Sequence, residues 1–365
     1  MTSYRIDPLD RLFFRQNTAF DMDMSSNVKT IFPPYPSTIV GMARTLMAVA
    51  AGWDGNEWGQ KQKDLVGSAD DLNGMKFRGP YLHLNANVNI MDERGENSDE
   101  PISVNSILFP VPRNLIKHAD GSYEILQPVG KYRTNLNNNT PMQLPAPADH
   151  KAQYKVASGY ITIGDMKKLL EGETNVTVIP SPWSTEIQVG NHLDPKTKST
   201  KKENSLFSRE MVRPNEGLTL LYEVENEAKE LDKQFIGYLG GETRMVNVQK
   251  TEDITFPEIR PDDYTRFTIT LITPGLLGNN TSEVIDTLEK TFGTSPITAC
   301  VPNPVRIGGW DYAKRQPKTL RPYLIPGTVF YFDTSLDRVE VNPRGIYHIG
   351  DRTDFGFGQY LIGKW

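Results

Sequence analysis

The sequence predicts an α+β fold, a sandwich in which helices cover one face of mixed sheets. Three observations carry that expectation. Tyr81–Ile90 (YLHLNANVNI) and Arg266–Leu277 (RFTITLITPGLL) alternate apolar and polar residues, the period of a half-buried strand. Ile39, Met42, Ala43, Leu46 and Val49 recur with the spacing of an amphipathic helix. From Arg266 onward the chain runs strand, helix, then several strands, the order of an α+β layer.

Taken in order, Tyr4–Arg15 reads as a strand with polar breaks, followed by a loop holding Asp21-Met22-Asp23. Pro33, Pro34 and Pro36 hold the next segment extended, and Ser37 or Thr38 is the expected N-cap of a helix closed by Gly52. Arg44 falls off that helix's apolar stripe. Trp53–Gly79 is polar and turn-rich. After the Tyr81–Ile90 strand, Asp92–Glu100 is an acidic loop, and SVNSILFPVPRNLI is a strand stopped by Pro110 and Pro112. Thr134–His150 reads as irregular. Gly164–Glu173 reads as a short helix with Asp165 as N-cap and Gly172 beyond its end. Strand-like runs at Glu186–Val189 and Leu218–Val224 flank a long basic excursion. Thr281–Gly293 is a helix capped by Ser282 and closed by Gly293; ACVPNPVRIGGWD, GTVFYFD, GIYHIG and the terminal GFGQYLIGKW are strand-and-turn units.

Composition narrows the function classes. The 365 residues supply enough chain for one elaborated domain or two. The one cysteine, Cys300, excludes an internal disulfide and CxxC zinc sites and fits a reducing, cytoplasmic setting. MTSYRIDPLD lacks the basic-then-apolar pattern of a signal peptide, and no apolar run is long enough to span a bilayer. With a formal net charge of −5, nucleic-acid binding would have to come from a local patch.

That patch is the strongest physical signal in the sequence. His192, Lys196, Lys198, Lys201, Lys202, Arg209 and Arg213 lie in one stretch with few acids beside them. Positive charge concentrated on a flexible arm binds phosphate backbone by counterion release, and Phe207 within it offers a stacking surface. A second basic–aromatic stretch carries Trp310, Tyr312, Lys314, Arg315, Lys318 and Arg321. Other motifs fail on context. Gly358-x-x-x-x-Gly363-Lys364 opens no helix, so it cannot cradle a phosphate as a P-loop does. Gly356-Phe357-Gly358 matches half of an aromatic RNA-recognition strand, and its glycines permit another backbone to lie close to a final sheet strand. His83, His118, His150, His192 and His348 have no metal-ligand spacing, and nothing resembles a nucleophile elbow. No cofactor or metal is called for.

Several blocks in order resemble one family. Phe32–Leu46 (FPPYPSTIVGMARTL) is similar to the FPPPPST-xx-GALR signature of the RAMP superfamily of CRISPR-associated proteins, in the third-subunit family of the type III-B Cmr effector complex. Leu239–Arg244 resembles that family's LGGE-x-R turn; Ile307–Asp311 with Pro317-Lys318 resembles its IGGWD…PK segment, and Ile325–Phe330 the strand that follows. The closing Gly-Phe-Gly resembles the glycine-rich element of RAMP proteins. Two departures stand out: Tyr35 replaces a proline, and lysines replace the arginines the family often carries before its central strand.

The resemblance implies two ferredoxin-like (RRM-type) modules with insertions, at 1–215, including a basic flexible hairpin at 190–213, and 216–365. It implies a non-catalytic subunit that grips the 5′ handle of the crRNA and bridges a large palm-domain subunit to the RAMP backbone. Target RNA would be met only indirectly, and no membrane is involved. On that reading Ser37/Thr38 at a helix N-terminus, Arg44, the basic arm, Arg244, Trp310, Lys314, Arg315, Lys318 and Gly356–Gly358 face RNA. Two rivals are a metal-independent RAMP endoribonuclease that processes precursor crRNA, with His192 as general base, and a protein-binding scaffold with a solvated lysine loop.

Overall fold

The computed structural model describes residues 1–16, 27–89, 101–133, 141–191, 196–197, 199, 206–256, 265–311, 316–336, 342 and 344–365. The helices are α1 (Pro36–Ala50), α2 (Gln60–Val66), α3 (Ile163–Leu170) and α4 (Thr281–Phe292). The strands of the larger sheets begin with β1 (Thr2–Pro8), β2 (Asn27–Val28), β3 (Lys76–Val88), β4 (Ile102–Pro110) and β5 (Tyr160–Thr162). There follow β6 (Trp183–Asn191), β7 (Leu206–Pro214), β8 (Leu218–Glu225), β9 (Phe235–Tyr238) and β10 (Met245–Thr251). The last are β11 (Phe267–Leu271), β12 (Thr298–Cys300), β13 (Val329–Phe332), β14 (Tyr347–His348) and β15 (Gln359–Lys364). Mostly antiparallel sheets with few helices make an α+β protein, as the periodicity predicts.

A seven-stranded sheet has the order β5-β4-β3-β8-β1-β10-β9. Strands from both sides of residue 215 therefore share one ladder: β1 lies between β8 and β10. The apolar stripe of α1 (Ile39, Met42, Ala43, Leu46, Met47) packs on one face of this sheet against Tyr4, Ile6, Val246 and Val248. Each such large side chain contributes roughly 1.5–3 kcal/mol by leaving water. Gly237 in β9 lets α1 approach, because a Cβ there would sit 3.3 Å from Leu46.

The second sheet, β12-β13-β11-β15-β14, has five strands. Its cover is α4, which buries Leu288 and Phe292 against Phe267, Phe332 and Ile362. The two sheets meet through a shared apolar cluster. Tyr81, Phe109 and Leu221 of the first pack with Leu361 of the second and with Met166 and Leu169 of α3. Beside it Arg344 donates to the fully buried Glu223 carboxylate at 2.5 Å. Burial raises the Glu223 pKa, and Arg344 opposes that rise.

Several local expectations are corrected. α1 starts at Pro36 with Tyr35 as its N-cap residue, two or three residues before Ser37 or Thr38, because proline at the first helical position needs no N–H partner. Thr162, rather than Asp165, caps α3, and Asn280, rather than Ser282, caps α4; in both helices a side-chain oxygen accepts the amide three residues on. The polar stretch after Trp53 contains α2, and Pro141–Ala146 is a strand paired with Gln127–Arg133. Finally, Leu206–Pro214 is a strand of the hairpin rather than loop, while Leu218–Glu225 belongs to the seven-stranded sheet. Asp21, Met22, Asp23, Ile90 and Asp92–Glu100 lie outside the described residues.

Candidate nucleic-acid interface

Two regions gather the residues that the sequence singles out. The first is the β6–β7 hairpin, paired without a break from Trp183↔Pro214 to Asn191↔Leu206, with β2 added in parallel beyond β7. Alternation gives it two faces. On one, Phe207 lies across Gly190, where a Cβ would come within 2.3 Å of the ring. The Arg209 guanidinium sits 4.8 Å above that ring, and its Nη1 reaches Glu242 at 2.5 Å.

Arg213 grips Glu186 through both Nε and Nη2, and Arg11 reaches the same carboxylate at 3.3 Å. These bonds hold the Glu186 pKa below its ordinary value, the Arg213 hydrogen bond first among them. Arg244 closes the root by bonding Asp10 at 2.7 Å and Gln188 at 3.3 Å. Two of the acids beside the basic stretch, Asp10 and Glu242, thus arrive from distant parts of the chain. The opposite face of the hairpin exposes Ile187, Val189 and Leu206. Lys196 is exposed; His192, Lys198, Lys201 and Lys202 lie outside the described residues.

The second region is the glycine-rich turn before β15. A single 3-10 turn, Thr353–Phe355, is bracketed by left-handed residues: Arg352 at φ 61°, Gly356 at 91° and Gly358 at 67°. Here the sequence expectation is corrected. Gly356–Gly358 precede the last strand, and the backbones that approach them are the protein's own. A Cβ on Gly356 would lie 2.8 Å from the Gly79 carbonyl oxygen, and one on Gly358 1.9 Å from that of Ile349. Phe355 and Phe357 are buried in the main core, Phe357 tilted on Tyr323 at 4.9 Å.

This turn docks at the start of α1. The Cβ position of Gly356 is 3.5 Å from Pro36, which brings Ser37 and Thr38, half-buried in the first helical turn, to its side. The Thr38 amide is already bonded to Tyr35 at 2.9 Å. Arg44 spends Nε and Nη2 on the carbonyls of Val66 and Gly67, both at 2.6 Å, tying α1 to the end of α2. Its burial lowers its pKa. Just beyond, Asp70 receives Lys318 at 3.2 Å and Arg352 at 4.0 Å. Arg352 also stacks 4.2 Å over Phe355, and Arg321 pairs with Asp351 at 3.2 Å. Arg352 thus sits at the start of a turn fixed by its glycines beside the α1 N-terminus, and ion pairs through Asp70 and Asp351 join Lys318 and Arg321 to this neighbourhood.

Arg352 and Arg11 escaped the sequence reading. The signal for Arg352 was its place four residues before Gly356; for Arg11 there was none. Trp310 forms a short ladder with Pro317, and Lys314 and Arg315 lie outside the described residues. Among the described histidines, His118 bonds Glu124 at 2.6 Å, and burial lowers His83 and brings His348 to about 4. Among the described residues no His, Cys, Asp and Glu cluster could hold a metal. Cys300 is buried, its thiol pushed up to about 12. No helix of the described residues is long and apolar enough to cross a membrane.

Residues 4–365 match the family described as CRISPR-associated protein (Cas_Cmr3). No curated protein matches the chain. Among solved structures, a chain of the type III-B Cmr-beta complex bound to cognate target RNA aligns at a TM-score of 0.50 and 14% identity, over 90% of this chain and 86% of that one. A chain of the same complex with AMPPnP aligns at 0.48 and 15%, with the same coverage. A chain of the type III-A Csm3–Csm4 subcomplex aligns at 0.40 and 11%, over 100% and 99%. The first of these shows a shared fold.

Proposed function

The chain belongs to the CRISPR-associated Cas_Cmr3 family, and on that premise we propose that it is a non-catalytic subunit of a type III-B RNA-guided effector ribonucleoprotein. Its task in this reading is to hold the 5′ handle of the crRNA and to bridge the large palm-domain subunit to the RAMP backbone, with target RNA met through the assembly. The observation that carries the reading is the cationic corner at the start of α1. Arg352 opens a turn whose shape the fold enforces beside the start of α1, and it shares with Lys318 the single, largely exposed Asp70 carboxylate, so two cations there answer to one acid, while Arg321 is paired with Asp351.

Helix N–H groups and guanidinium forks suit phosphate oxygens, and guanidinium planes suit splayed bases. Ser37, Thr38 and Gly356 shape the floor of this corner, Phe357 anchors it, and Arg44 and Gly358 brace it. The hairpin acts as the second grip: Lys196, Lys198, Lys201 and Lys202 with His192 supply charge, while Phe207, Arg209, Arg213 and Arg244 stiffen the root that aims them. Trp310, Lys314 and Arg315 are assigned to the same RNA-binding set on the family resemblance of their segment. We read the fold as two ferredoxin-like modules, now divided after β10, because β8 and β10 hydrogen-bond into the first sheet.

The test is electrophoretic binding of handle-containing and scrambled RNA, with the chain alone and in the assembled complex. Handle RNA is expected to be retained preferentially inside the complex; equal retention of the two sinks the handle assignment.

A further inference from the structure

At its β9 edge the seven-stranded sheet carries a feature that RNA binding leaves unused. The face turned away from α1 shows Ile236 and Tyr238 of β9, 53% and 62% exposed, and Met245 of β10, 47% exposed. Register makes them neighbours: Tyr238 pairs with Met245, and Ile236 stands two residues along the same face. Leu9, 54% exposed, joins them through its amide, which bonds the Met245 carbonyl at 3.2 Å. Gly237, between Ile236 and Tyr238, points to Leu46 of α1, which confirms that the apolar trio looks the other way.

The strand edge is open as well. β9 ends the sheet, and no described strand pairs with its outer side. Soluble proteins guard such edges with a lysine, a proline, a bulge or a covering element. Phe235–Tyr238 contains no lysine or proline and pairs with β10 in unbroken register. The shortness of β9 and Lys233 beside its start guard this edge only in part, and three exposed apolar side chains beside it are a hazard unless something normally covers them.

The charge pattern selects what covers it. Arg5 is paired with Asp7 at 2.9 Å and Arg244 with Asp10 at 2.7 Å, and Lys233 lies before β9, 5.6 Å over the Phe235 ring. The exposed apolar centre itself carries no cation, so a nucleic acid would find few counterions to displace there. Tyr and Met at a charge-poor centre with paired charges at the rim are instead the make-up of a protein interface core. We propose that this corner is where a neighbouring protein subunit docks, adding an extended apolar segment to the outer edge of β9 and covering Leu9, Ile236, Tyr238 and Met245. This rests on the reading of the chain as a complex subunit and says which surface serves that role, separate from the cationic corner.

The direct experiment places a photo-reactive benzophenone side chain at Tyr238 in the complete assembled ribonucleoprotein. The expected product is a crosslink to one other protein subunit. The amides of Phe235–Tyr238 that face away from β10 should exchange at least about tenfold more slowly in the complex than in the isolated chain, since an added strand bonds them. Tyr238→Glu should weaken capture of that subunit about tenfold or more while leaving the melting temperature of the isolated chain unchanged. A crosslink to RNA, a crosslink to a second copy of this chain, or no crosslink at all overturns the proposal. Handle-RNA retention measured on the same variant separates the outcomes: if retention fails in unmodified complex too, the subunit reading itself is wrong. Capture of the other subunit lost with retention intact supports the docking corner alone.

Discussion

The hairpin root and the glycine-rich turn both attract notice as basic or RNA-like sequence, yet they use their residues in opposite ways. At the hairpin root the cations are consumed internally: Arg213 on Glu186, Arg209 on Glu242, Arg244 on Asp10. At the turn it is the glycines that are consumed, pressed against the carbonyls of Gly79 and Ile349, while Lys318 and Arg352 share the largely exposed Asp70. The lesson is that a charge counted in sequence is not a charge available to a ligand. Availability depends on which acids the fold brings alongside, and those acids need not be near in sequence.

The contrast can be broken most forcefully at Gly358. A valine there meets the Ile349 carbonyl at 1.9 Å and must hold φ 67°, so Gly358→Val should cost about 3 kcal/mol or more and prevent isolation of folded protein. Chemical denaturation decides: a stable Gly358→Val chain that has lost only RNA binding would restore the glycine as an RNA-contact position.

Acidity separates the same two regions. His348 pairs with Gln359, next to Gly358, and burial with Arg78 and Lys76 nearby holds its pKa at about 4 against an ordinary 6.5. The folded state therefore favours the neutral ring. That contribution is whole above pH 6.5 and drains as pH falls toward 4, by about 3 kcal/mol in all. At the hairpin root Glu186 and Asp10 are both held below their ordinary values, so their contribution is whole above the usual carboxylate range and is lost as pH falls through that range towards the lowered folded values. Urea titrations from pH 7.5 to 4.5 should show falling stability in the parent and a flatter profile in His348→Gln. Equal slopes would remove His348 as the cause.

The smallest effect discriminates within the hairpin. Removing two lysines that each neutralise a phosphate should reduce the salt dependence of RNA binding by about 1.4 log units per decade for Lys201/Lys202→Ala, given single-stranded RNA. Arg213→Ala should leave that slope nearly unchanged and cost little stability, as loss of an exposed ion pair does. If Arg213→Ala lowers the slope by about 0.7 log units per decade, half the shift of the lysine pair, its bond to Glu186 yields to phosphate, and the root is itself a binding surface.

Several features were legible from the chain. The α1 stripe, the alternating strands, the closing role of Gly293 and the existence of a hairpin all rest on local periodicity and on residues with restricted or permissive φ, which act whatever surrounds them. The family blocks were legible too, because they are linear. The caps lie two to three residues earlier than the sequence suggests wherever a proline or an earlier Asn or Thr competes for the same amides. The rest belongs to long-range pairing. Nothing local tells that Leu218–Glu225 leaves the hairpin for the centre of the first sheet, that Glu242 waits beside Arg209, or that the partner of Gly358 is Ile349. Backbone propensity is a property of a few neighbouring residues, whereas charge neutralisation and close approach are properties of whichever distant segments folding brings within a few ångströms.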